Sequence, residues 1–405
     1  MQAVIMAAGK STRTYPLTVK RPKPLLKMLD RTLLEHNLDQ LVGLVDEVVI
    51  IVGFMKEQIM EKMGDEYKGM KLVYVEQTEQ LGTGHAILTA EEKIGDRFII
   101  MPGDDMFFHD DLKKLVDHKY ACLAKEVPNP EAFGIFVVEG GFINDIEEKP
   151  SEPKSNLANT ACWIADRKLF DLLKAVEKSE RGEIEATCAL KALLAQENVG
   201  CEIAEGWLPV GYPWKYLEAN VDLLRRINEH KIDESAKIEA GVTIKGDVTI
   251  GKGTIIKSGT YIEGPVFIGN NCTIGPQAYI RKDTIIMDNV NTRSELYDVV
   301  LMDGVTAKHA SYIAHSVIGP GCNIAAGTIT ADYRHDAGEN WTMVKGMKLN
   351  TGRRKLGAFL GDRVNTGIGT LIYPGRKIWP HCTTLPGEIV KKDIEKSDYM
   401  TTDKR

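Results

Sequence analysis

Isoleucine recurs at every sixth position along the segment 238–286. The positions are Ile238, Ile244, Ile250, Ile256, Ile262, Ile268, Ile274, Ile280 and Ile286. A small or β-branched residue stands two places before each isoleucine. A period of six fits neither an α-helix nor an ordinary strand, and it is typical of a parallel β-helix that stacks one aliphatic rung on the next. After a break, the pattern returns at Ile318, Ile324, Ile372 and Ile378.

The first half of the chain alternates apolar runs typical of strands with amphipathic runs typical of helices. The predicted strands are Ala3–Met6, Glu47–Val52, Lys71–Val75 and Phe98–Met101. The predicted helices are Leu33–Leu41, Lys56–Lys62 and Gly84–Lys93. This alternation predicts βαβ crossovers and a Rossmann-like α/β domain with a mainly parallel sheet. An amphipathic run over 216–230 follows, so we predict one domain over residues 1–230 and the β-helix over 231–405.

Two polar loops follow predicted strands of the first domain. They are Gly9–Arg13 and Gly103–Asp105, and ligands of such sheets bind at the carboxyl ends of the strands. The backbone N–H groups of a glycine-rich turn can hold a phosphate, and Lys10 and Arg13 add positive charge. The loop lacks the first glycine of a Walker A motif, since position 4 is Val4, and the chain start lacks a G-x-G-x-x-G fingerprint.

Composition and charge exclude several classes of function. Hydrophobic residues make up 43% and charged residues 27% of the 405 positions, which is typical of a globular protein. The net charge of −6 argues against nucleic acid as a partner. Seven scattered cysteines without a C-x-x-C pair suit a reducing compartment. No signal peptide and no apolar run long enough for a bilayer is present, so we expect a cytoplasmic protein without membrane contact.

Several motifs of the first half occur together in one order. They are AAGKSTRTYPLT (residues 7–18), RPKPLL (21–26), Glu76-Gln77, Gln80-Leu81-Gly82-Thr83-Gly84-His85-Ala86, Gly103-Asp104, Gly134, Glu147-Glu148-Lys149-Pro150 and Asn159. This set, which covers roughly residues 1–225, resembles the signature of the sugar-phosphate nucleotidylyltransferases. The resemblance implies in-line attack of a sugar phosphate on the α-phosphorus of UTP or dTTP, with Mg²⁺ as cofactor and without a covalent nucleophile.

The resemblance also implies roles for individual residues. The implied phosphate loop consists of Ala7, Ala8, Gly9, Lys10 and Ser11. The implied catalytic cations are Arg13 and Lys23. The pyrimidine base is assigned to Gln77, Gly82 and Thr83, the metal to Asp104, and the sugar to Gly134, Glu148 and Asn159. His85, inside a Gly-Thr-Gly-His turn, is interpreted as a structural residue at a helix start rather than as a catalytic base.

The chain departs from this pattern at one position. Relatives often carry a metal-binding aspartate in a segment similar to W-x-D-x-G, and the chain has Trp207-Leu208-Pro209-Val210-Gly211 there. Proline offers no side-chain oxygen, so the resemblance leaves Asp104 to hold Mg²⁺ with help from phosphates or from Asp105.

Over nearly its whole length the chain resembles the bifunctional N-acetylglucosamine-1-phosphate uridylyltransferase/glucosamine-1-phosphate acetyltransferases, particularly their archaeal sugar-1-phosphate relatives. Supporting segments of the second half are 258–269, 309–312, 326–329 and 352–359. The resemblance implies a left-handed β-helix of hexapeptide repeats that acetylates glucosamine 1-phosphate from acetyl-CoA. The long faces of such a solenoid commonly assemble, and we predict a homotrimer.

In this second site the resemblance nominates His309 as the general base, because its pKa lies near neutrality, and Tyr312 as a sugar ligand. The residues assigned to acetyl-CoA and phosphate are Ala326, Lys345, Lys348, Arg353 and Arg354. The chain departs from the family at Tyr297, where relatives often have lysine, and at Asp332, where they tend to have asparagine. Losing a cation and adding a carboxylate is expected to weaken the binding of an anionic sugar phosphate.

Three functions stay open at the level of sequence. The first is the bifunctional enzyme, the second a nucleotidylyltransferase whose β-helix only assembles the oligomer, and the third a regulatory or scaffold protein that binds nucleotide sugars. The sequence also leaves open which sugar and which pyrimidine are preferred, because epimers differ by one hydroxyl group.

Overall fold

The computed structural model describes residues 1–180, 182–227 and 229–397. The chain divides into two compact units. Unit 1 comprises Met1–Lys10, Pro22–Leu25 and Thr32–Pro209, and unit 2 comprises Ser11–Arg21, Leu26–Arg31 and the chain from Val210 onward. The last segment of unit 2 begins at Val210, about twenty residues before the predicted boundary near residue 230. That boundary stays a prediction. None of the helices in the described ranges has both the length and the hydropathy of a membrane span.

The first fourteen strands alternate with the helices. The strands are β1 (Gln2–Met6), β2 (Lys27–Met28), β3 (Arg31–Thr32), β4 (Glu47–Val52), β5 (Glu66–Tyr67), β6 (Met70–Glu76), β7 (Arg97–Pro102), β8 (Asp105–Met106), β9 (Ala121–Glu126), β10 (Gly134–Glu139), β11 (Phe142–Glu148), β12 (Leu157–Asp166), β13 (Gly200–Ile203) and β14 (Leu208–Pro209). The helices are α1 (Leu33–Leu41), α2 (Lys56–Met63), α3 (Thr83–Thr89), α4 (His109–Val116), α5 (Lys168–Ala175), α6 (Ala186–Leu194) and α7 (Pro213–Ile227). Short 3-10 helices cover Thr12–Thr14, Lys23–Leu25, Glu91–Lys93 and Pro130–Ala132.

Unit 1 contains a ten-stranded sheet in the order β10-β11-β13-β9-β12-β7-β1-β4-β6-β5. The four strands β7, β1, β4 and β6 run parallel, as predicted. Strand β12 pairs antiparallel with both β7 and β9, and the β10–β11 hairpin extends this antiparallel half. The α/β fold class is therefore confirmed, and the antiparallel strands are an addition that the sequence analysis did not foresee.

Burial explains why the parallel strands were predictable. The central run of β4, from Val48 to Val52, is at most 1% exposed, because helices cover both faces of the sheet. Strands covered on both faces consist of continuous apolar runs. Helix α1 begins at a capping box, in which the Thr32 hydroxyl accepts the Glu35 N–H at 3.2 Å and the Glu35 carboxylate accepts the Thr32 N–H at 2.7 Å.

The β-helix of unit 2 is built from many short parallel strands. They are β15 (Lys231–Ile232), β16 (Lys237–Ile238), β17 (Thr243–Lys245), β18 (Val248–Ile250), β19 (Ile255–Ile256), β20 (Tyr261–Glu263), β21 (Val266–Ile268), β22 (Thr273–Ile274), β23 (Tyr279–Ile280), β24 (Thr284–Ile286), β25 (Asn291–Thr292), β26 (Glu295–Leu301), β27 (Thr306–Ala307), β28 (Tyr312–Ile318), β29 (Ile329–Thr330), β32 (Phe359–Leu360), β33 (Leu371–Ile372), β34 (Lys377–Ile378) and β35 (Ile389–Val390). An antiparallel hairpin, β30 (Trp341–Val344) with β31 (Met347–Asn350), interrupts them.

The predicted rungs are present. Ile250, Ile268 and Ile286 are successive register partners, so one coil of the helix takes 18 residues, or three repeats of six. Each of these side chains is at most 1% exposed and belongs to one continuous aliphatic core. Burial of these aliphatic side chains is the main stabilising term of this unit, at about 2 kcal/mol per side chain.

The break in the six-residue pattern has a geometric cause. Ile286 pairs with Leu301, and Leu301 pairs with Ile318, so these coils are shorter than 18 residues. Ile318 then pairs with Leu360, because the segment with the β30–β31 hairpin is inserted between the two coils. The rung pattern continues from Leu360 to Ile378.

Candidate functional site

The loops after two neighbouring parallel strands begin at one edge of the unit 1 sheet. Strand β1 ends at Met6 and β7 ends at Pro102, and these residues are register partners. The N–H of Gly103 donates to the Met6 carbonyl at 2.9 Å. A Cβ atom on Gly103 would lie 2.8 Å from Cγ2 of Ile5, so only glycine allows this close approach. Asp104 therefore follows directly at the carboxyl end of β1.

The predicted phosphate loop leaves β1 through two buried alanines. The N–H of Ala7 donates to a carbonyl of β4 at 2.8 Å, and the carbonyl of Ala8 accepts a backbone N–H at 3.1 Å. Gly9 and Lys10 are exposed, and a Cβ atom on Gly9 would meet no atom within 4 Å. The start of the loop is thus fixed to the sheet, while its tip is accessible to a ligand.

The remaining predicted loop residues belong to unit 2. Ser11 has a positive φ of 50°, and its carbonyl accepts hydrogen bonds from the Thr14 N–H at 3.1 Å and the Thr18 hydroxyl at 2.9 Å. The guanidinium carbon of Arg13 lies 5.7 Å from the centroid of the Tyr212 ring. These contacts fix the backbone of this turn, and the triphosphate roles of Ser11 and Arg13 stay predictions.

A buried lysine faces an accessible aspartate in unit 1. The Lys23 side chain is 3% exposed, and its Nζ lies 2.8 Å from Oδ2 of Asp104. The Asp104 side chain is 39% exposed. A buried ammonium group needs a charge partner, and Asp104 provides one while a large part of its carboxylate still contacts solvent. The fold therefore brings the predicted catalytic lysine and the predicted metal ligand into direct contact.

Asp104 is also the candidate ligand for Mg²⁺. Its neighbour Asp105 accepts a hydrogen bond from Trp207 Nε1 at 3.2 Å and is the register partner of Pro209. Among the described residues, no group of three His, Cys, Asp or Glu side chains could hold a metal ion. Mg²⁺ is commonly bound by one or two carboxylates, with phosphates and water completing its octahedron. The donor set fits a Mg²⁺ ion that binds together with a nucleotide, and it does not fit a cage made by the protein alone.

The residues predicted to read the base form one turn. Gln77 follows β6 and is 5% exposed, and its Nε2 donates to the Gly82 carbonyl at 3.2 Å. The same nitrogen lies 3.1 Å from Nδ1 of His85. Thr83 begins α3, and its hydroxyl accepts the N–H of Ala186 at 3.3 Å. The contact with Gln77 supports the interpretation of His85 as a structural residue of this turn.

The sequence analysis missed a backbone segment that fixes this turn. The N–H of Ile184 donates to the Leu81 carbonyl at 2.7 Å, and the Ile184 carbonyl accepts the Gly84 N–H at 2.8 Å. A Cβ atom on Gly82 would lie 2.7 Å from the same carbonyl, and Gly82 has φ +97°. The Gly-x-Gly spacing was the available signal, because two glycines so close together indicate a close backbone approach.

The three predicted sugar ligands meet on the antiparallel half of the sheet. Gly134 begins β10 and Glu148 ends β11, and they are register partners. A Cβ atom on Gly134 would lie 3.0 Å from Oε2 of Glu148 and 3.9 Å from Cβ of Asn159. Asn159 Oδ1 accepts the Ala161 N–H at 2.8 Å. The structure thus brings all three residues together, although their role in binding sugar stays a prediction.

Replacing Gly134 with alanine is expected to raise the KM for the sugar 1-phosphate about tenfold, because the new methyl group displaces the Glu148 carboxylate from this position. Initial rates of pyrophosphate release, measured at saturating nucleotide with varied sugar phosphate, give this KM. The KM for the nucleotide serves as the internal control and should not change. An unchanged KM for the sugar phosphate would remove Gly134 from the sugar site.

The residues predicted for acetyl transfer lie on the β-helix. His309 is exposed in the turn before β28, and its carbonyl accepts the Ser294 hydroxyl at 3.3 Å. Tyr312 begins β28 and is half-buried, and burial, together with the nearby Asp332 charge, raises the pKa of its phenol. The Ala326 carbonyl accepts the Gly369 N–H at 2.8 Å, and the role of Ala326 in binding acetyl-CoA stays a prediction.

The residues of the predicted basic stretch differ in exposure and in their contacts. Lys345 has a positive φ of 49° in the turn of the hairpin, and the Nζ of Lys348 lies 5.4 Å from the centroid of the Trp341 ring. Arg354 is exposed. Arg353 is only 18% exposed and forms ion pairs with two carboxylates of unit 2. Its predicted phosphate role therefore requires the guanidinium to exchange those partners.

The departures at 297 and 332 are accompanied by residues that the sequence analysis missed. The guanidinium carbon of Arg281 lies 4.2 Å from the centroid of the Tyr297 ring, so a cation is present where the chain lacks lysine. The imidazole of His315 packs edge-on against Tyr297 at 5.0 Å and approaches Asp332 at 3.1 Å. Asp332 is thus paired inside the β-helix rather than unopposed.

Two family models match the chain. The nucleotidyl transferase model matches residues 2–226. The model of bacterial transferase hexapeptides, six repeats long, matches residues 229–264.

Curated relatives match the chain over its length. The bifunctional protein GlmU of Methanocaldococcus jannaschii is 42% identical over 405 residues, which are 99% of this chain and 97% of that protein. A bifunctional sugar-1-phosphate nucleotidylyltransferase/acetyltransferase of Sulfurisphaera tokodaii is 35% identical over 412 residues and covers 99% of this chain and 100% of that protein. The UTP–glucose-1-phosphate uridylyltransferase AglF of Haloferax volcanii is 38% identical over 224 residues, 53% of this chain and 92% of that protein.

A solved structure agrees with the fold of the first half. The crystal structure of a UDP-glucose pyrophosphorylase complexed with UDP-glucose superposes with a TM-score of 0.51 at 23% identity and covers 56% of this chain and 98% of that chain. At this identity the likeness shows the fold. The nucleotidyl transferase model and the full-length relatives show more: the chain belongs to the family of bifunctional sugar-1-phosphate nucleotidylyltransferase/acetyltransferases, the GlmU proteins.

Proposed function

We propose that the protein transfers a nucleotidyl group from UTP or dTTP to a sugar 1-phosphate such as N-acetylglucosamine 1-phosphate and, in a second site, acetylates glucosamine 1-phosphate from acetyl-CoA. The contact of the buried Lys23 with the accessible Asp104, which follows the carboxyl end of β7, is the observation that carries the first activity. The name of the Haloferax volcanii relative contains UTP and glucose 1-phosphate, which favours uridine as the base.

In nucleotidyl transfer the work of the protein is placement and charge neutralisation. An oxygen of the sugar phosphate attacks the α-phosphorus of the nucleotide in line, and the bond to pyrophosphate breaks. Lys23 is buried and therefore poorly hydrated, so its ammonium group interacts strongly with charge that develops on the α-phosphate. Gln77 and the Gly82–Thr83 turn hold the base, while Gly134, Glu148 and Asn159 hold the sugar.

Asp104 would hold Mg²⁺, which when bound supplies positive charge that offsets the charge of the leaving pyrophosphate. Lys23 contacts Oδ2 of Asp104, and the Asp104 side chain is 39% exposed, so its carboxylate would be accessible to the metal ion. Pro209 removes a second carboxylate at this edge, so metal binding is expected to depend on the phosphates of the substrate.

In acetyl transfer the amine of the sugar attacks the thioester carbonyl of acetyl-CoA, and the thiol of coenzyme A leaves. His309 takes the proton of the attacking nitrogen. Its exposure and its place three residues before Tyr312 support this role, since an accessible imidazole can approach a sugar that Tyr312 binds. Ala326, Lys345, Lys348, Arg353 and Arg354 are the proposed contacts for acetyl-CoA and phosphate.

Tyr297 and Asp332 favour a second candidate function. In it the protein catalyses nucleotidyl transfer alone, and the β-helix assembles the oligomer. The row of exposed apolar side chains Ile329, Leu371 and Ile389, which are successive register partners, supports self-association in either case. We propose a homotrimer formed through the β-helix, and a cytoplasmic location.

A substrate panel tests the proposed function. Pyrophosphate release is measured with Mg²⁺ and either UTP or dTTP, against the 1-phosphates of glucose, N-acetylglucosamine and galactosamine. Release of coenzyme A is measured separately with glucosamine 1-phosphate and galactosamine 1-phosphate. Turnover in both assays supports the bifunctional enzyme, and turnover only in the first supports the second candidate. If neither assay shows turnover while nucleotide still binds, the protein is a binding protein and the proposal fails.

A further inference from the structure

A buried histidine with two carboxylate partners lies in the β-helix next to the proposed acetyl site. The His315 imidazole is 6% exposed. Its Nδ1 lies 2.6 Å from Oδ2 of Asp298, and its Nε2 lies 3.1 Å from Oδ2 of Asp332. A neutral imidazole carries one N–H, whereas the imidazolium ion carries two. The Nδ1 contact has hydrogen-bond geometry, whereas the Nε2 contact is an ion-pair distance without hydrogen-bond alignment, so it is the charge of the two carboxylates that favours the protonated imidazole.

The charges around His315 form one network. Asp298 also binds Arg353 Nη2 at 3.0 Å, and Arg353 Nη1 binds Glu218 of α7 at 3.1 Å. The Nζ of Lys355 lies 3.7 Å from Asp332. The Nζ of Lys215 lies 2.7 Å from the other Glu218 oxygen, so four cations face three carboxylates in this cluster, and the Tyr297 ring packs edge-on against the imidazole. If His315 gives up its proton, Asp332 loses its nearer cation and keeps the contact with Lys355.

The pKa directions agree with this arrangement. Burial alone would lower the pKa of His315, but its contacts with Asp298 and Asp332 reverse that effect and raise the pKa above its usual value. Burial alone would raise the pKa of Asp332, but the His315 contact reverses that effect and lowers it. Both shifts favour the charged form of the group.

Asp332 links this cluster to the proposed acetyl site. Burial raises the pKa of the phenol of Tyr312, the proposed sugar ligand, and the nearby charge of Asp332 raises it further. Tyr312 and His315 lie three residues apart on the same strand, β28. An unpaired carboxylate beside Tyr312 would repel the phosphate of an incoming sugar phosphate and weaken its binding about tenfold.

We propose that His315 is a positioning residue of the acetyl site, which binds and neutralises Asp332 so that the site accepts a phosphorylated, anionic amino sugar. This inference rests on the proposed acetyl transfer. Asp332 adds a carboxylate where relatives tend to have asparagine, and the imidazolium of His315 offsets that added negative charge. It also makes the affinity for the sugar phosphate depend on pH, because neutralisation requires the protonated imidazole.

The sign of the pH dependence follows from the raised pKa. Below the folded-state pKa of His315 the imidazole is charged, Asp332 is neutralised, and the sugar phosphate binds. As the pH rises through that pKa, Asp332 loses its partner charge and the KM for the sugar phosphate rises. The other charged or titratable groups packed around the pair are those of Asp298, Arg353, Glu218, Lys355 and Tyr312. A pH dependence of KM that His315→Gln abolishes is therefore assigned to His315.

The test compares the parent, a single variant and a double variant, and measures KM and kcat of coenzyme A release separately for each. His315→Gln is expected to raise the KM for glucosamine 1-phosphate in coenzyme A release about tenfold, with little change in kcat. His315→Gln/Asp332→Asn removes both members of the pair and is expected to return this KM close to the parent value. Unphosphorylated glucosamine, used as the acceptor at high concentration, should show no such change, because it carries no phosphate.

Controls distinguish the possible failures. His230→Gln replaces an exposed histidine of unit 2 and should leave both constants unchanged. Pyrophosphate release and the melting temperature of each variant report folding, and Asp332→Asn alone provides a milder variant. If the double variant is as impaired as His315→Gln, the proposal is overturned. If the parent releases no coenzyme A, the proposed acetyl transfer fails. The His315–Asp332 pair is then tested by NMR, which follows the pKa of His315 in the parent and in Asp332→Asn. A pKa that is the same in both proteins overturns the pair.

Discussion

Lys23→Ala is expected to lower kcat for pyrophosphate release by about 10²- to 10³-fold while leaving the release of coenzyme A unchanged. Removal of one preorganised charge from a reaction centre typically has an effect of this size. The effect is large because the Lys23 side chain is 3% exposed, so water cannot take the place of its ammonium group easily. Steady-state rates of both reactions on the same preparation measure the two effects together.

The stability of the Lys23→Ala variant is expected to change little. Asp104 is 39% exposed, so its carboxylate can be hydrated when the partner ammonium is removed. Lys71→Ala is the matched control, since Lys71 is a 70% exposed lysine of the same unit that also pairs with a carboxylate. A Lys23→Ala enzyme that keeps its rate, beside an unchanged control, would contradict the proposed role of this lysine.

His309→Ala should have the opposite selectivity. We expect a loss of about 10²- to 10⁴-fold in kcat for acetyl transfer, the usual contribution of a general base, and no change in nucleotidyl transfer. The side chain is exposed and makes no hydrogen bond or ion pair with a described residue, so its removal is expected to cost less than about 0.5 kcal/mol of stability.

The comparison for His309 is an exposed histidine without a proposed role. His230→Ala in the same unit provides it. Rescue of His309→Ala by added imidazole adds a second criterion, because a small external base can take over proton removal only where the side chain acted as the base. Equal rates for the parent and His309→Ala would assign the base to another group.

The elements that could be predicted from the sequence are those whose hydrophobic pattern fits only one type of secondary structure. The rungs from Ile250 to Ile286 were predictable because each isoleucine is buried in the same way in successive coils. Strands β1, β4 and β7 were predictable because their apolar runs are covered on both faces. Strand β12 was harder to foresee, because its pairing with β9 is interrupted between Asn159 and Trp163. The alternation of more and less buried side chains along the strand is lost in the same segment.

The site was predictable to the extent that it is local in sequence. The loops that carry Gly9 and Asp104 were predicted from motifs at strand ends, whereas the contact of Lys23 with Asp104 joins residues far apart in sequence and was not predicted. The contact of Ile184 with the Gly82 turn also joins distant segments, through backbone atoms that leave no side-chain signature. The His315 cluster did leave a signal. Asp298, His315 and Asp332 stand at 17-residue intervals, the same interval that separates the register partners Leu301 and Ile318, so these side chains stack on successive coils.

The 18-residue coil of the β-helix also limits how this chain can change its length during evolution. A deletion of one whole coil, such as 251–268, would return every later side chain to the face that it already occupies, because its new neighbour below has the same register. A deletion of six residues would instead rotate all later faces by one third of a turn, moving Tyr312 away from the side of the solenoid on which it now lies. Lineages of this fold are therefore expected to differ by whole coils, or by insertions that leave and re-enter at one corner, as the segment with the β30–β31 hairpin does.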